Sequence, residues 1–151
     1  MRRKDRLQAD PAAIRDVIRR STVCRLAVCD GEQPYVIPMC FGFEDGVVYL
    51  HCAHEGRKID ILRRNPRVCV EWDIDAVVVP AAEAHQFTMR YRSVIAFGTA
   101  SFITDPEAKR HALDLLMAQY ADGKFTYADN QVAKTCIIRV DITGITGKES
   151  R

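Results

Sequence analysis

The chain has 151 residues, of which 48% are hydrophobic and 28% charged, and its formal net charge is +2. This length suits one domain with a buried core, so we predict a single domain over residues 1–151. The small net charge does not favour a nucleic-acid-binding face, and no apolar run approaches the roughly 18 residues that a membrane helix needs. With no signal-peptide core after the basic N-terminus, we expect a cytoplasmic protein.

The six cysteines are not expected to form disulfides. They are Cys24, Cys29, Cys40, Cys52, Cys69 and Cys136. Nearly all lie in apolar runs such as TVCRLAVC, where reduced cysteine behaves as a small buried hydrophobe, and the chain shows no export signal. The zinc-ligand types His51, Cys52 and His54 do not suffice for a metal site, because strand neighbours 51 and 52 face opposite sides and no CxxC pair is present. We predict no metal site.

The first part of the chain reads as a helix followed by three strands. Asp10-Pro11 provides a helix cap and a proline at the first helical position, and this helix is expected to end near Ser21. The strands are TVCRLAVC, PYVIPMCFGF and VVYLHCA, separated by the turn signals DG and EDG. Pro38 cannot donate to a ladder, so the second strand is expected to be an edge, to be bulged, or to border something other than a strand.

Further along, IDILRR predicts a short helix that Asn65-Pro66 stops, followed by the strand RVCVEWD. Residues 74–89 are expected to form a loop crossing the sheet, although AVVVP could also be a strand. YRSVIAFGTASFI is a long strand in which Gly98 marks a bulge or a close approach. TDPE caps another helix, KTCIIRVDI is the last strand, and TGITGKESR reads as a tail.

Six strands with short helices and closely spaced turns predict a mainly β fold. The expected architecture is a small antiparallel barrel with helices at its ends.

The segment Tyr49–Leu62, YLHCAHEGRKIDIL, has the composition of an anion site. A strand would deliver the chain to Gly56, where a helix could begin with free N–H groups. Arg57 and Lys58 on its first turn are unfavourable for the helix dipole unless a phosphate is bound there. The alternative is a solvated strand-to-helix turn.

These residues carry a family resemblance. The stretch LAVCDGEQPYVIPMCFGFEDGVVYLHCAHEGRKIDILRRNPRVCVEWD, then YRSVIAFGTASFITDPEAK and a final TGK, resembles the pyridoxamine 5'-phosphate oxidase-like split barrels that bind FMN, in particular their nitroimidazole-resistance branch. The resemblance covers roughly residues 2–148. It implies a homodimer of six-stranded, Greek-key split β-barrels with FMN at the subunit interface.

The resemblance also implies roles for individual residues. Arg57 and Lys58 would hold the FMN phosphate, with His54 and the amides up to Gly56 completing the cradle. The ring would lie along strand two, and the cofactor-binding positions it implies are Ile37, Pro38, Met39, Cys40, His51, Cys52, His54, Arg57, Lys58 and Arg92.

His51 is the expected catalytic residue. Its imidazole could donate a proton or a hydrogen bond to a nitro oxygen or carbonyl at neutral pH. A structural histidine bonded to a barrel carbonyl is the alternative. Arg92 would reach the flavin or the partner subunit, or would be an ordinary exposed strand arginine.

Three functions are compatible with these patterns. The first is an FMN-dependent reductase acting on a small nitro compound or quinone. The second is a flavin- or haem-binding module without dedicated turnover, and the third is a dimer that has lost its cofactor. The chain ends at TGKESR without the long C-terminal segment by which true pyridoxamine phosphate oxidases recognise their substrate, so that activity is not expected.

Overall fold

A computed structural model describes residues 7–8 and 10–150 of the chain. Within these residues the elements, in chain order, are β1 (Leu7–Gln8), α1 (Pro11–Arg20), β2 (Cys24–Asp30), β3 (Gln33–Met39), β4 (Phe41–Glu44), β5 (Val47–Cys52), α2 (Arg57–Arg64), β6 (Arg67–Val79), β7 (Thr88–Ile103), α3 (Pro106–Ala118), α4 (Asp129–Lys134) and β8 (Cys136–Ser150). A 3-10 turn, Ala84–Gln86, lies in the connection between β6 and β7. The fold is mainly β, as predicted.

The strands form one antiparallel sheet in the order β3-β2-β6-β7-β8-β5-β4, and β1 pairs with β8. The two edge strands, β3 and β4, are separated in the chain by Cys40 alone. The sheet must therefore curl until its two edges meet at this residue, which makes it a barrel. The barrel is split there, because β3 pairs with β2 and β4 pairs with β5. Because β6 returns to lie beside β2, the first strands follow the predicted Greek-key order.

The second predicted strand, PYVIPMCFGF, divides into β3 and β4, and this division together with the short β1 gives eight strands among the described residues where six were expected. Residues 33–39 pair with β2, whereas residues 41–44 pair with β5. The hydrogen-bonding partner thus changes from one side of the chain to the other at Cys40. Pro38 does lie on an edge strand, as expected.

Two strands, β6 and β8, are longer than predicted. Residues 74–79 continue β6 after an irregularity between Ile74 and Val77, and they pair with the start of β7. The segment expected to be a tail belongs to β8, which extends to Ser150 against β7. In both places the sixteen-residue β7 offers a ladder of backbone partners, and this pairing outweighs local composition.

The interior of the barrel is a continuous apolar core. Its largest fully buried side chains include Trp72 and Phe41, whose rings meet edge to face with centroids 5.7 Å apart. Helix α1 begins as predicted, with the Asp10 carboxylate accepting the Ala12 N–H at 3.0 Å, and buries Val17 and Ile18. In the described part of the chain, no helix is long and apolar enough to cross a membrane.

Gly98 lies at a bulge and also at a close approach of two strands, the two features expected from the sequence. The β7–β8 register shifts between Phe97 and Gly98, and a Cβ added at Gly98 would lie 2.6 Å from the Asp141 carbonyl oxygen. The absence of a side chain lets the two strands approach at this bend.

Candidate functional site

A cleft opens where β3 and β5 diverge. The pairing of β4 with β5 ends at Phe41 and Leu50, both fully buried. Continuing this register by one residue places Cys40 opposite His51, and both are exposed. Beyond this point β3 turns to β2, while β5 runs on into the connection to α2. The cleft therefore has β3 on one side and residues 51–58 on the other.

The β3 wall presents free backbone groups. Pro38 lies opposite Arg25, and since proline has no N–H these two residues cannot exchange both ladder bonds. They must form a non-hydrogen-bonded pair, and alternation along the strand gives Val36 the same character. The N–H and C=O of Val36 and the C=O of Pro38 consequently point away from β2, toward the open edge.

The predicted ring-binding residues 37–40, on β3 and immediately after it, separate into two sets. Ile37 is half-buried and Met39 is buried, and both contact the barrel core. Pro38 and Cys40 are exposed. The structure thus brings Pro38, Cys40 and His51 together at the cleft, whereas Ile37 and Met39 direct their side chains into the core.

On the opposite wall, Cys52 faces inward. It lies directly across from the buried Cys136 of β8 and contacts the barrel core. Burial raises the pKa of its thiol to about 11, and the neighbouring Cys136 adds to the effect. A protonated, half-buried thiol is a packing group, so a ligand in the cleft would meet the backbone of Cys52.

Helix α2 begins at this wall with an uncapped N-terminus. Gly56 precedes it with φ 122°, a conformation that favours glycine, and no side chain in the described part of the chain caps the helix. The N–H groups of Ile59 and Asp60 both bond to the Gly56 carbonyl, which leaves those of Arg57 and Lys58 directed outward. Such a helix start favours an anion.

Arg57 spans the cleft to the β3 side. Its guanidinium carbon lies 4.7 Å from the centre of the Tyr35 ring, and its Nε is 3.6 Å from an Asp30 carboxylate oxygen. The other Asp30 oxygen accepts from Arg64 at 2.7 Å. The charge of Arg57 is therefore only partly offset, and its side chain remains 54% exposed.

Lys58 is half-buried. Among the described residues its side chain has no hydrogen bond or ion pair, and its charge acts on the nearby Cys52 thiol, whose pKa it lowers against the effect of burial. A half-buried cation beside two free helix N–H groups is unfavourable by itself and favourable with a bound anion. The residues present thus fit the phosphate of an FMN molecule.

His54 is attached to a helix that the sequence did not reveal. Its Nε2 lies 3.1 Å from the Ala133 carbonyl oxygen of α4. Since a carbonyl can only accept, this nitrogen carries the hydrogen. The ring helps to position the turn before α2, and a contact with phosphate remains a prediction.

Arg92 lies elsewhere. Its guanidinium bonds Asp75 at 2.6 Å and Asp16 at 3.0 Å, which links β7 to the β6 irregularity and to α1. Arg92 is opposite Glu149, whereas His51 is opposite Ile137, and at about 3.3 Å per residue this is roughly 40 Å of β8. Within one chain, Arg92 is not among the residues that line the cleft.

An apolar row crosses the outer face of the sheet next to the cleft. Cross-strand pairing aligns Val36, Ala27, Cys69 and Phe97. Val36 is 55% exposed and Phe97 is 58% exposed. We call these four residues the apolar stripe. Contiguous exposed apolar surface of this kind is typical of an interaction face.

Sequence reasoning missed Tyr35 and Asp30, which hold Arg57, and the open edge of β3. A signal for the edge was present, because Pro34 and Pro38 are four residues apart and both fall on positions whose missing N–H faces away from β2. No comparable signal marks Tyr35 or Asp30.

Comparison with known proteins supports this assignment of the fold. A crystal structure of a "putative 5-nitroimidazole antibiotic resistance protein" from Bacteroides thetaiotaomicron is 36% identical, with a TM-score of 0.87 over 95% of this chain and 86% of that one. The FAD and heme binding protein from Mycobacterium smegmatis has a TM-score of 0.88 at 21% identity over 97% of this chain and 74% of that one, a likeness of fold alone.

An uncharacterized protein of Rhizobium meliloti (strain 1021), RA0666, is 33% identical over 55 residues, which is 36% of each chain. The match therefore spans about a third of that relative. The family model described as pyridoxamine 5'-phosphate oxidase matches residues 10–149. The chain, with its split barrel and the cleft between β3 and α2, belongs to the pyridoxamine 5'-phosphate oxidase family.

Proposed function

We propose that the protein is an FMN-dependent oxidoreductase that reduces a small nitro-aromatic compound of the 5-nitroimidazole type. The observation that carries the proposal is the cleft itself, where the start of α2 and the half-buried Lys58 lie across from the open edge of β3. One end of this cleft suits a phosphate dianion. The other end offers backbone donors and acceptors for the polar edge of a flat ring.

Each wall has its own part in binding. Arg57 and Lys58 would hold the phosphate with the first N–H groups of α2, each charge-assisted bond contributing about 1.5–3 kcal/mol. Val36 and Pro38 would meet the ring with backbone groups and with the exposed proline surface. When bound, the flavin supplies the two-electron chemistry, and the protein supplies orientation and electrostatics.

His51 is proposed to act on the substrate. Its ring is exposed at the mouth of the cleft, opposite Cys40. Reducing a nitro group to the nitroso level consumes two electrons and two protons and releases one water molecule. A neutral-pH proton donor beside the ring serves this step, and histidine is the residue whose ordinary pKa is suited to it.

We also propose that the protein works as a homodimer. The apolar stripe lies on the same outer face as Pro38, so a second copy seated on it would close the open side of the cleft. Burying Val36 and Phe97 in this way would remove exposed apolar surface from water.

The similar crystal structure at 36% identity supports the choice of a nitro-aromatic substrate, through what its description says of that protein.

A flavin- or haem-binding module without turnover is the second candidate. The structurally similar Mycobacterium smegmatis protein is described as binding FAD and heme. Purified protein should show the absorbance of oxidised flavin, and a Soret band would favour haem. Release of the chromophore and mass measurement would separate FMN from FAD.

Turnover tests the activity directly. FMN-loaded protein should be reduced anaerobically by NADH or NADPH, and titration with a 5-nitroimidazole should return the flavin spectrum to its oxidised form with consumption of the drug. If the protein binds FMN tightly but its reduced flavin is not reoxidised by the drug, the reductase function is contradicted and the binding-module function is favoured.

A further inference from the structure

A cluster of three charges lies on the outer face of the sheet, beside the cleft. Arg25 of β2 donates to Glu71 at 2.9 Å and also to Asp73, both on β6. The three side chains are partly buried, with exposed fractions between 29% and 43%. We call this group the Arg25 cluster. The cluster has a defined geometry, because one guanidinium bridges two carboxylates on the same face of one strand.

Cross-strand register places this cluster next to the proposed flavin site. Arg25 is directly opposite Pro38, and Pro38 lies on the open edge of β3. The two residues form the non-hydrogen-bonded kind of pair, in which side chains approach most closely, with Cβ atoms about 4.5–5.5 Å apart. The Arg25 side chain leaves β2 on the face that it shares with Pro38, and its guanidinium extends towards Glu71 and Asp73 on β6.

The surroundings make these charges effective over this distance. Glu71 is opposite Ile95, and the neighbouring row of the same face is the apolar stripe. Burial raises the pKa of the Glu71 carboxyl, and the adjacent Asp73 adds to this, while Arg25 acts in the opposite direction. A second copy covering the apolar stripe would exclude more water from the cluster and strengthen its field.

We propose that the Arg25 cluster sets the reduction potential of the flavin bound along β3, with Arg25 favouring the reduced cofactor and Glu71 and Asp73 opposing it. This inference rests on the proposed function. Reduction adds negative charge to the ring, so a nearby cation stabilises the reduced form and a nearby carboxylate destabilises it. The carboxylates also hold the guanidinium in place, which makes Arg25 a positioned charge and not a mobile one.

Replacement of single charges by neutral residues of similar shape gives a test with opposite signs. The potential of bound FMN is measured by anaerobic titration against a reference dye in the wild-type holoprotein and in R25Q, E71Q and D73N. R25Q should shift the potential to more negative values, and E71Q and D73N should shift it to more positive values. R139Q removes an arginine that pairs with Asp141 on β8 and should leave the potential unchanged.

The outcomes are distinguishable. If the wild-type protein binds no flavin, the proposed function is wrong and this inference fails with it. If the variants bind FMN but their potentials equal that of R139Q, or all shift in one direction, only the inference is wrong. If the variants weaken the dimer but leave the flavin potential unchanged, the cluster is an ion pair of the interface and the inference is wrong. Should R25Q fail to fold, the two carboxylate variants still decide the question.

Discussion

Arg57 and Tyr35 face each other across the split in the barrel, with the guanidinium carbon 4.7 Å from the centre of the ring. This contact connects the start of α2 to β3 at the phosphate end of the cleft. A cation over an aromatic ring at an exposed site contributes about 0.5–1 kcal/mol. Here its effect is to hold the guanidinium ready for an anion.

Replacing Tyr35 by leucine should therefore weaken FMN binding by about two- to fivefold, the factor that corresponds to this free energy. Y35F retains the ring and should bind FMN as the wild type does. Isothermal titration calorimetry measures both. Equal affinities in Y35L and Y35F would show that the stacking does not prepare Arg57 for the phosphate.

His51→Ala should leave FMN affinity near the wild-type value and lower the rate of nitro reduction, because the proposed phosphate contacts come from Arg57, Lys58 and the α2 amides and not from this side chain. General acid catalysis typically contributes a factor of about 100 or more. Single-turnover mixing of reduced protein with a 5-nitroimidazole measures the step. His51→Gln keeps a hydrogen-bond donor and should recover part of the rate, whereas full activity in H51A would assign His51 to packing.

Gly98→Ala should destabilise the fold by about 1–3 kcal/mol, the usual cost of overpacking. An added Cβ would lie 2.6 Å from the Asp141 carbonyl oxygen and 2.8 Å from a Val140 methyl carbon. Gly144 is the matched control, since a Cβ there meets no atom within 4 Å. Urea unfolding should give a lower midpoint for G98A only; a midpoint for G98A as high as that of G144A would contradict the close approach.

Alkylation should separate the cysteines by environment. Burial raises the pKa of the Cys24 thiol to about 12, which lowers its thiolate fraction about a thousandfold relative to an ordinary thiol. Cys52, with a pKa of about 11, should also react slowly. The exposed Cys29 and Cys40 should react with iodoacetamide first at pH 8.

Added FMN should protect Cys40 and leave Cys29 unchanged, because, of these two exposed cysteines, it is Cys40 that lies opposite His51 at the cleft. Peptide mass spectrometry reports each site. Protection of both cysteines, or of neither, would argue against the placement of the ring near Cys40.

Much of the fold is readable from local signals. Asp10-Pro11 and Asp105-Pro106 cap helices where predicted, and the strand alternation in TVCRLAVC corresponds to buried Cys24, Leu26 and Val28. Such signals are local because capping and alternation depend on neighbours in the chain. The division at Cys40 depends on which distant strand each half pairs with, so no local pattern could reveal it.

The same distinction applies to the site. Gly56, Arg57 and Lys58 were recognisable, since a helix start and its cations are adjacent in sequence. The contacts of Arg57 with Tyr35 and Asp30 join residues more than twenty positions apart. For Arg92 the sequence motif suggested a place in the site, but the side chain is held by Asp16 and Asp75, away from the cleft. These partners are also distant in sequence, so the motif could not reveal them.

The central claim is that the start of α2 binds the phosphate of FMN. Calorimetric titration of FMN into the wild-type protein, R57A and K58A tests it most directly, with R63A as control because Arg63 is an exposed cation one and a half turns along the same helix. Each of the first two variants should bind at least about tenfold more weakly, as expected for loss of a charge-assisted bond, and R63A should bind like the wild type. Wild-type affinity in R57A and K58A would contradict the account.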